Sequence, residues 1–168
     1  MENRLYKVDS RMTPPIILAI LFATVLIILS IVKTFSFLFL IVLTPFIYLG
    51  LEILARRVVL DSSGITINKF LRSKKLDWKD IQNVDAVRSG GKTFLIIQTE
   101  SSRPVLITNT ISGFPDLVNS IIESIPAGKV SEAAREISGS TQKKLWPIVQ
   151  AWLVCLIFLV VLVGKFLE

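Results

Sequence analysis

Three carboxylates, Asp77, Asp80 and Asp85, fall within nine residues of one another. Clustered carboxylates are the raw material of a metal site or an acid–base pair. Here they alternate with Lys75, Lys79 and Arg88, which reads as a solvated, ion-paired surface. The chain has no histidine, so the commonest general base and transition-metal ligand is missing. Ser101, Ser102, Ser138 and Ser140 sit in turn or linker contexts, with no histidine to activate them. No phosphate-binding glycine loop, zinc-ligand spacing or nucleophile elbow occurs. These residues point away from an enzyme, and no cofactor, metal or small-molecule substrate is expected.

A second chemical pattern is a run of cations. The stretch LRSKKLDWKDI (71–81) holds Arg72, Lys74, Lys75 and Lys79, and Lys69 lies just before it. These five residues form a candidate contact surface for anionic headgroups or an acidic protein partner. Leu76 and Trp78 sit among them at alternate positions. That spacing places both on one face of a strand, with Ile81 continuing the buried set after a bend at Lys79–Asp80. Lys75, Asp77 and Lys79 then face solvent.

The elements that must carry this surface are unusually apolar. Hydrophobic residues make up 52% of the 168, and the mean hydropathy is +0.64. The excess is concentrated in three uncharged stretches, 14–32, 34–51 and 145–164. Each has the length, roughly 18 residues or more, that a helix needs to cross a bilayer. Two spans are therefore expected at about 14–32 and 35–54, with a third from 145. A cleaved signal peptide is the rival reading of the first, but its apolar run is long and a second follows almost at once. Pro14 and Pro15 suit a helix start, whereas Pro45 is expected to kink the second span. Gln150 either bonds to neighbouring helices or lies near the headgroups. Cys155, the single cysteine, excludes an internal disulfide framework.

The first two spans form a tight hairpin, so both of its outer ends face one compartment. All but Lys33 and Lys165 of the 19 Lys and Arg residues lie in 1–13 and 55–144. The positive-inside rule then puts the N-terminus and the central region in the cytoplasm and the C-terminus outside, as expected for the inner membrane. The net charge of +6 owes much to Arg4, Lys7, Arg11, Arg56, Arg57, Lys143 and Lys144, which flank the spans. Such residues attract anionic membrane lipids. The aromatic residues are not spaced for base stacking, so no nucleic-acid partner is expected.

Between the spans the period changes to that of strands. VVLD (58–61) and GITINKF (64–70) flank a turn at SSG. LRSKKLDW, IQNVDAVR (81–88), KTFLIIQT (92–99) and RPVLITNT (103–110) continue the series, with Gly90-Gly91 marking a tight turn. Short turns between about six strands imply an antiparallel sheet. Phe114, Leu117, Val118, Ile121, Ile122 and Ile125 then form one stripe of an amphipathic helix. Its polar face has no cation, so it is expected to pack on the sheet and not on a membrane. Residues 127–144 read as a linker, in which Ser131 could cap a short helix through Ile137.

This outline resembles the bacterial pleckstrin-homology (PH) domain family of membrane-anchored proteins. The resemblance covers roughly 56–126. It is carried by VVLDSSGITI, by Leu76, Trp78, Ile81 and Val84 in KKLDWKDIQNV, by the Gly-Gly turn with FLIIQT, and by the helix at 113–125. It implies an α+β membrane protein. Residues 1–57 would hold the N-terminal segment and the helical hairpin, and 58–126 a PH-like sheet or barrel of six or seven strands closed by one helix. Residues 127–144 would be the linker, and 145–168 the third span and tail. It also implies a scaffold that binds a protein partner and helps assemble a membrane complex. The alternative is a sensor of lipid headgroups.

Overall fold

The computed structural model describes residues 3–34, 37–100, 103–139 and 145–167. The chain divides into two compact units, Met1–Asp9 with Arg56–Lys144, and Ser10–Ala55 with Leu145–Glu168. Ser101, Ser102, Ser140, Lys143 and Lys144 lie outside the described residues.

The second unit consists of three helices, α1 (Thr13–Thr34), α2 (Leu38–Ala55) and α5 (Leu145–Leu167). All three are long and apolar enough to cross a membrane. Ala23, Leu26, Ile27, Leu43 and Leu162 are buried between them, whereas Ile28, Ile41, Leu156 and Val160 are exposed. Apolar side chains facing outward all along a helix suit lipid, not water. Phe46 and Phe158 meet edge to face at 6.1 Å. Lys33 Nζ donates to the Lys165 carbonyl at 3.1 Å, so a cation meets the carbonyls at the end of α5. Pro45 lies within α2, which runs on through it, and Gln150 is exposed.

The first unit is an α+β domain. Its strands are β1 (Arg4–Lys7), β2 (Arg57–Leu60), β3 (Gly64–Asn68), β4 (Ser73–Asp77), β5 (Ile81–Ser89), β6 (Lys92–Thr99) and β7 (Val105–Thr108). They form two antiparallel sheets, ordered β1-β2-β3-β4 and β5-β6-β7. The bridge between Val8 and Ile111 joins the edge of one sheet to the chain beyond the other. The ladder does not continue there, and the sheets do not close into a barrel.

The six expected strands are present with slightly shifted ends. Leu76 and Ile81 are buried, and a 3₁₀ turn over Trp78–Asp80 supplies the bend between them. Helix α3 (Phe114–Glu123) buries Phe114, Leu117, Val118 and Ile121 against Val58, Ile65, Leu95 and Ile97. Each such side chain contributes about 2 kcal/mol when removed from water. Gly90 and Gly91 both have positive φ, at 56° and 73°, and join Ser89 to its partner Lys92. This is the two-residue turn that only small flexible residues make cheaply.

Two boundaries differ from the sequence reading. Arg4–Lys7, assigned there only to the N-terminal segment, is an edge strand that pairs with β2. The Tyr6 hydroxyl donates to Asp116 Oδ2 at 2.7 Å, and Arg4 Nη1 donates to Ser120 Oγ at 2.9 Å. These bonds fasten the strand to α3. The membrane hairpin is thus inserted between two neighbouring strands of one sheet.

The supposed linker is also part of the domain. Helix α4 (Glu132–Ser138) is capped by Ser131 Oγ, which accepts from the Ala134 amide at 3.2 Å. Val130, Ala134 and Ile137 join the core, and Lys129 Nζ donates to the Ile81 carbonyl at 2.6 Å. Buried apolar side chains, and not composition, decide where a domain ends.

Candidate interaction surfaces

The β3–β4 turn contains Lys69, Phe70, Leu71 and Arg72. The Lys69 amide donates to the Arg72 carbonyl at 2.7 Å. Ser73 Oγ donates to Asn68 Oδ1 at 2.7 Å at the base. These bonds hold the turn closed while its tip projects. Phe70 is 40% exposed and Leu71 72%.

The structure does not gather all five candidate cations. Lys69 and Arg72 flank the tip. Lys74 lies on the core-facing side of β4, beside buried Ile67, and its Nζ donates to the Arg103 carbonyl at 2.8 Å. Lys75 is on the outer face, paired with Thr66. Lys7 and Arg57 share that face, because Leu5, Val59, Thr66 and Lys75 form one cross-strand row and Lys7, Arg57, Asn68 and Ser73 the next. Lys79 belongs to the 3₁₀ turn at the other end of β4, a strand length of roughly 13 Å away.

Of the three clustered carboxylates, Asp77 and Asp80 are exposed. Asp85 Oδ1 accepts from the Ala86 amide at 2.7 Å. Arg88 pairs with Glu136 of α4 at 3.7 Å. Among the described residues no three His, Cys, Asp or Glu are placed to hold a metal ion. Asp61 Oδ1 accepts from the Ser63 hydroxyl and from the Ser63 and Gly64 amides. The Ser63 hydroxyl, then these amides, hold its pKa below the usual carboxylate value. Trp78 Nε1 donates to the Asp61 carbonyl at 3.0 Å, so the indole straps β4 to the β2–β3 turn. Burial raises the Tyr6 phenol above its ordinary pKa.

A second surface covers the outer face of the β5–β7 sheet. Val87 pairs with Phe94, and Ile96 with Leu106. Val87 is 42% exposed and Leu106 56%, while Phe94 and Ile96 are half-buried between them. Four apolar side chains are therefore contiguous on a face that points away from the core. An available signal was the run Phe94-Leu95-Ile96-Ile97, which lacks the alternation of a half-buried strand. The Phe70–Leu71 pair was likewise visible only as the interior of a basic run.

No family model, curated protein or solved structure matches this chain.

Proposed function

We propose that this chain is a non-enzymatic scaffold of the cytoplasmic membrane, with a PH-like domain held on three spans and offered to a protein partner. The N-terminus and domain lie in the cytoplasm, and the partner belongs to a membrane complex that the scaffold helps assemble or regulate. Four-stranded and three-stranded antiparallel sheets packed with one amphipathic helix support the PH-like reading. The observation that carries the scaffold reading is the Val87–Phe94–Ile96–Leu106 patch. Contiguous apolar surface on an otherwise finished domain marks a place where another protein docks.

The test is co-purification in mild detergent of the full chain and its Leu106→Glu variant. An exposed substitution changes stability little but buries a charge in an apolar interface. The native chain should retain a partner that the variant loses by about tenfold or more. Recovery of the native chain alone, or equal recovery by both, contradicts the proposal.

A second reading, headgroup sensing, is favoured by the cations of the β3–β4 turn and the outer face of β1–β4. It is compatible with the first, because the two surfaces lie on different sheets.

A further inference from the structure

We propose that the β3–β4 turn inserts Phe70 and Leu71 into the interface of the anionic bilayer that the chain's own helices span. This rests on the headgroup-sensing reading and adds apolar insertion at a named tip. Three observations converge on it.

The first is exposure. Leu71 is 72% exposed at a turn closed by the Lys69–Arg72 backbone bond. An apolar tip on a rigid base loses little freedom when it is buried elsewhere.

The second is register. Lys7, Arg57, Asn68 and Ser73 form the last row of the four-stranded sheet. At this end the chain leaves β1 toward α1 and enters β2 two residues after α2 ends at Ala55. Neighbouring strands lie about 4.8 Å apart. The turn therefore projects from the end of the sheet where the chain joins its membrane spans, and covalent connection keeps it close to the bilayer.

The third is charge. Lys69 and Arg72 bracket the tip, and the turn contains no carboxylate. Lys7, Arg57 and Lys75 lie on the adjoining outer face. Apolar tips flanked by cations suit the boundary between acyl chains and anionic headgroups, where the cation stems lie along apolar surface and the charges reach the phosphates.

The experiment uses the full chain in nanodiscs, with Cys155→Ala and an environment-sensitive fluorophore attached through Leu71→Cys. A second label through Ser62→Cys, in the β2–β3 turn at the other end of the sheet, is the control. Discs contain phosphatidylcholine alone or mixed with phosphatidylglycerol. Brominated acyl chains report insertion, and neutral acrylamide reports shielding from water.

The expected result is acyl-chain quenching at Leu71→Cys but not at Ser62→Cys, stronger in the anionic discs. Lys69→Gln with Arg72→Gln should lower the inserted fraction, by about 25-fold where insertion is weak, since each cation near the surface contributes about fivefold. An unchanged circular dichroism spectrum shows that this variant remains folded. Acrylamide shielding in anionic discs without acyl-chain quenching overturns insertion and leaves headgroup contact standing. Neither signal overturns both. Equal quenching in the two lipids overturns the part assigned to the cations.

Discussion

At the residue scale the domain depends on a few positions where one atom decides the outcome. Gly64 is the clearest. It has ordinary negative φ, and its role is closeness: a Cβ there would lie 2.0 Å from the Leu76 carbonyl oxygen. Gly64→Ala forces β3 and β4 apart and should cost about 3 kcal/mol in thermal unfolding. Ser62→Ala in the same turn should be near neutral. Two titrating groups make stability depend on pH. The Asp61 pKa is lowered on folding, so its contribution is present above the ordinary carboxylate range and is lost as pH falls through the lowered value. The Tyr6 pKa is raised on folding, so its contribution is complete below the ordinary phenol value and is lost as pH rises through the raised one. Asp61→Asn should flatten the acid limb of a stability–pH profile, and Tyr6→Phe the alkaline limb. The expected roles of Leu76, Trp78 and Ile81 were legible in their spacing. The role of Gly64 was not, because a turn glycine and a close-approach glycine look alike in sequence.

At the element scale, legibility followed length and period. The strands from β2 to β7 show apolar runs or alternation between turn residues, and α3 shows a full stripe, so each could be read. β1 has only four residues, and its partner β2 lies beyond the whole membrane hairpin. No local pattern could join them. Helix α4 itself was anticipated from its Ser131 cap, but its place in the core was hidden. EAAREIS offers only Ala134 and Ile137 to the core, too little for a periodic signal. Ile137→Ala should nonetheless destabilise the domain by about 3 kcal/mol. The neighbouring exposed change Glu136→Ala should cost less than about 0.5 kcal/mol. Equal and negligible effects would return 127–138 to the status of a linker. The candidate cations show the same limit of one-dimensional reading. Lys69 and Lys79 belong to one run in sequence, but strand β4 separates them.

At the scale of the whole molecule, the membrane hairpin is an insertion between paired strands. Because β1 and β2 are neighbours, the two outer ends of the hairpin must emerge on one side of the bilayer, whichever side that is. The β1–β2 pair can form only after the chain between them, with both helices of the hairpin, has been made. The domain presents an apolar face on β5–β7 and a basic, apolar-tipped turn, the surfaces proposed above for a partner and for lipid. The most direct measurement of the scaffold role is site-specific photo-crosslinking in native membranes, with a reactive side chain at Leu106 and, as control, at Leu5 on the other sheet's outer face. Both positions are exposed, at 56% and 52%. A scaffold should give a discrete adduct with one membrane-complex protein from Leu106 and none from Leu5. Absence of an adduct from Leu106, or the same adducts from both positions, would contradict it.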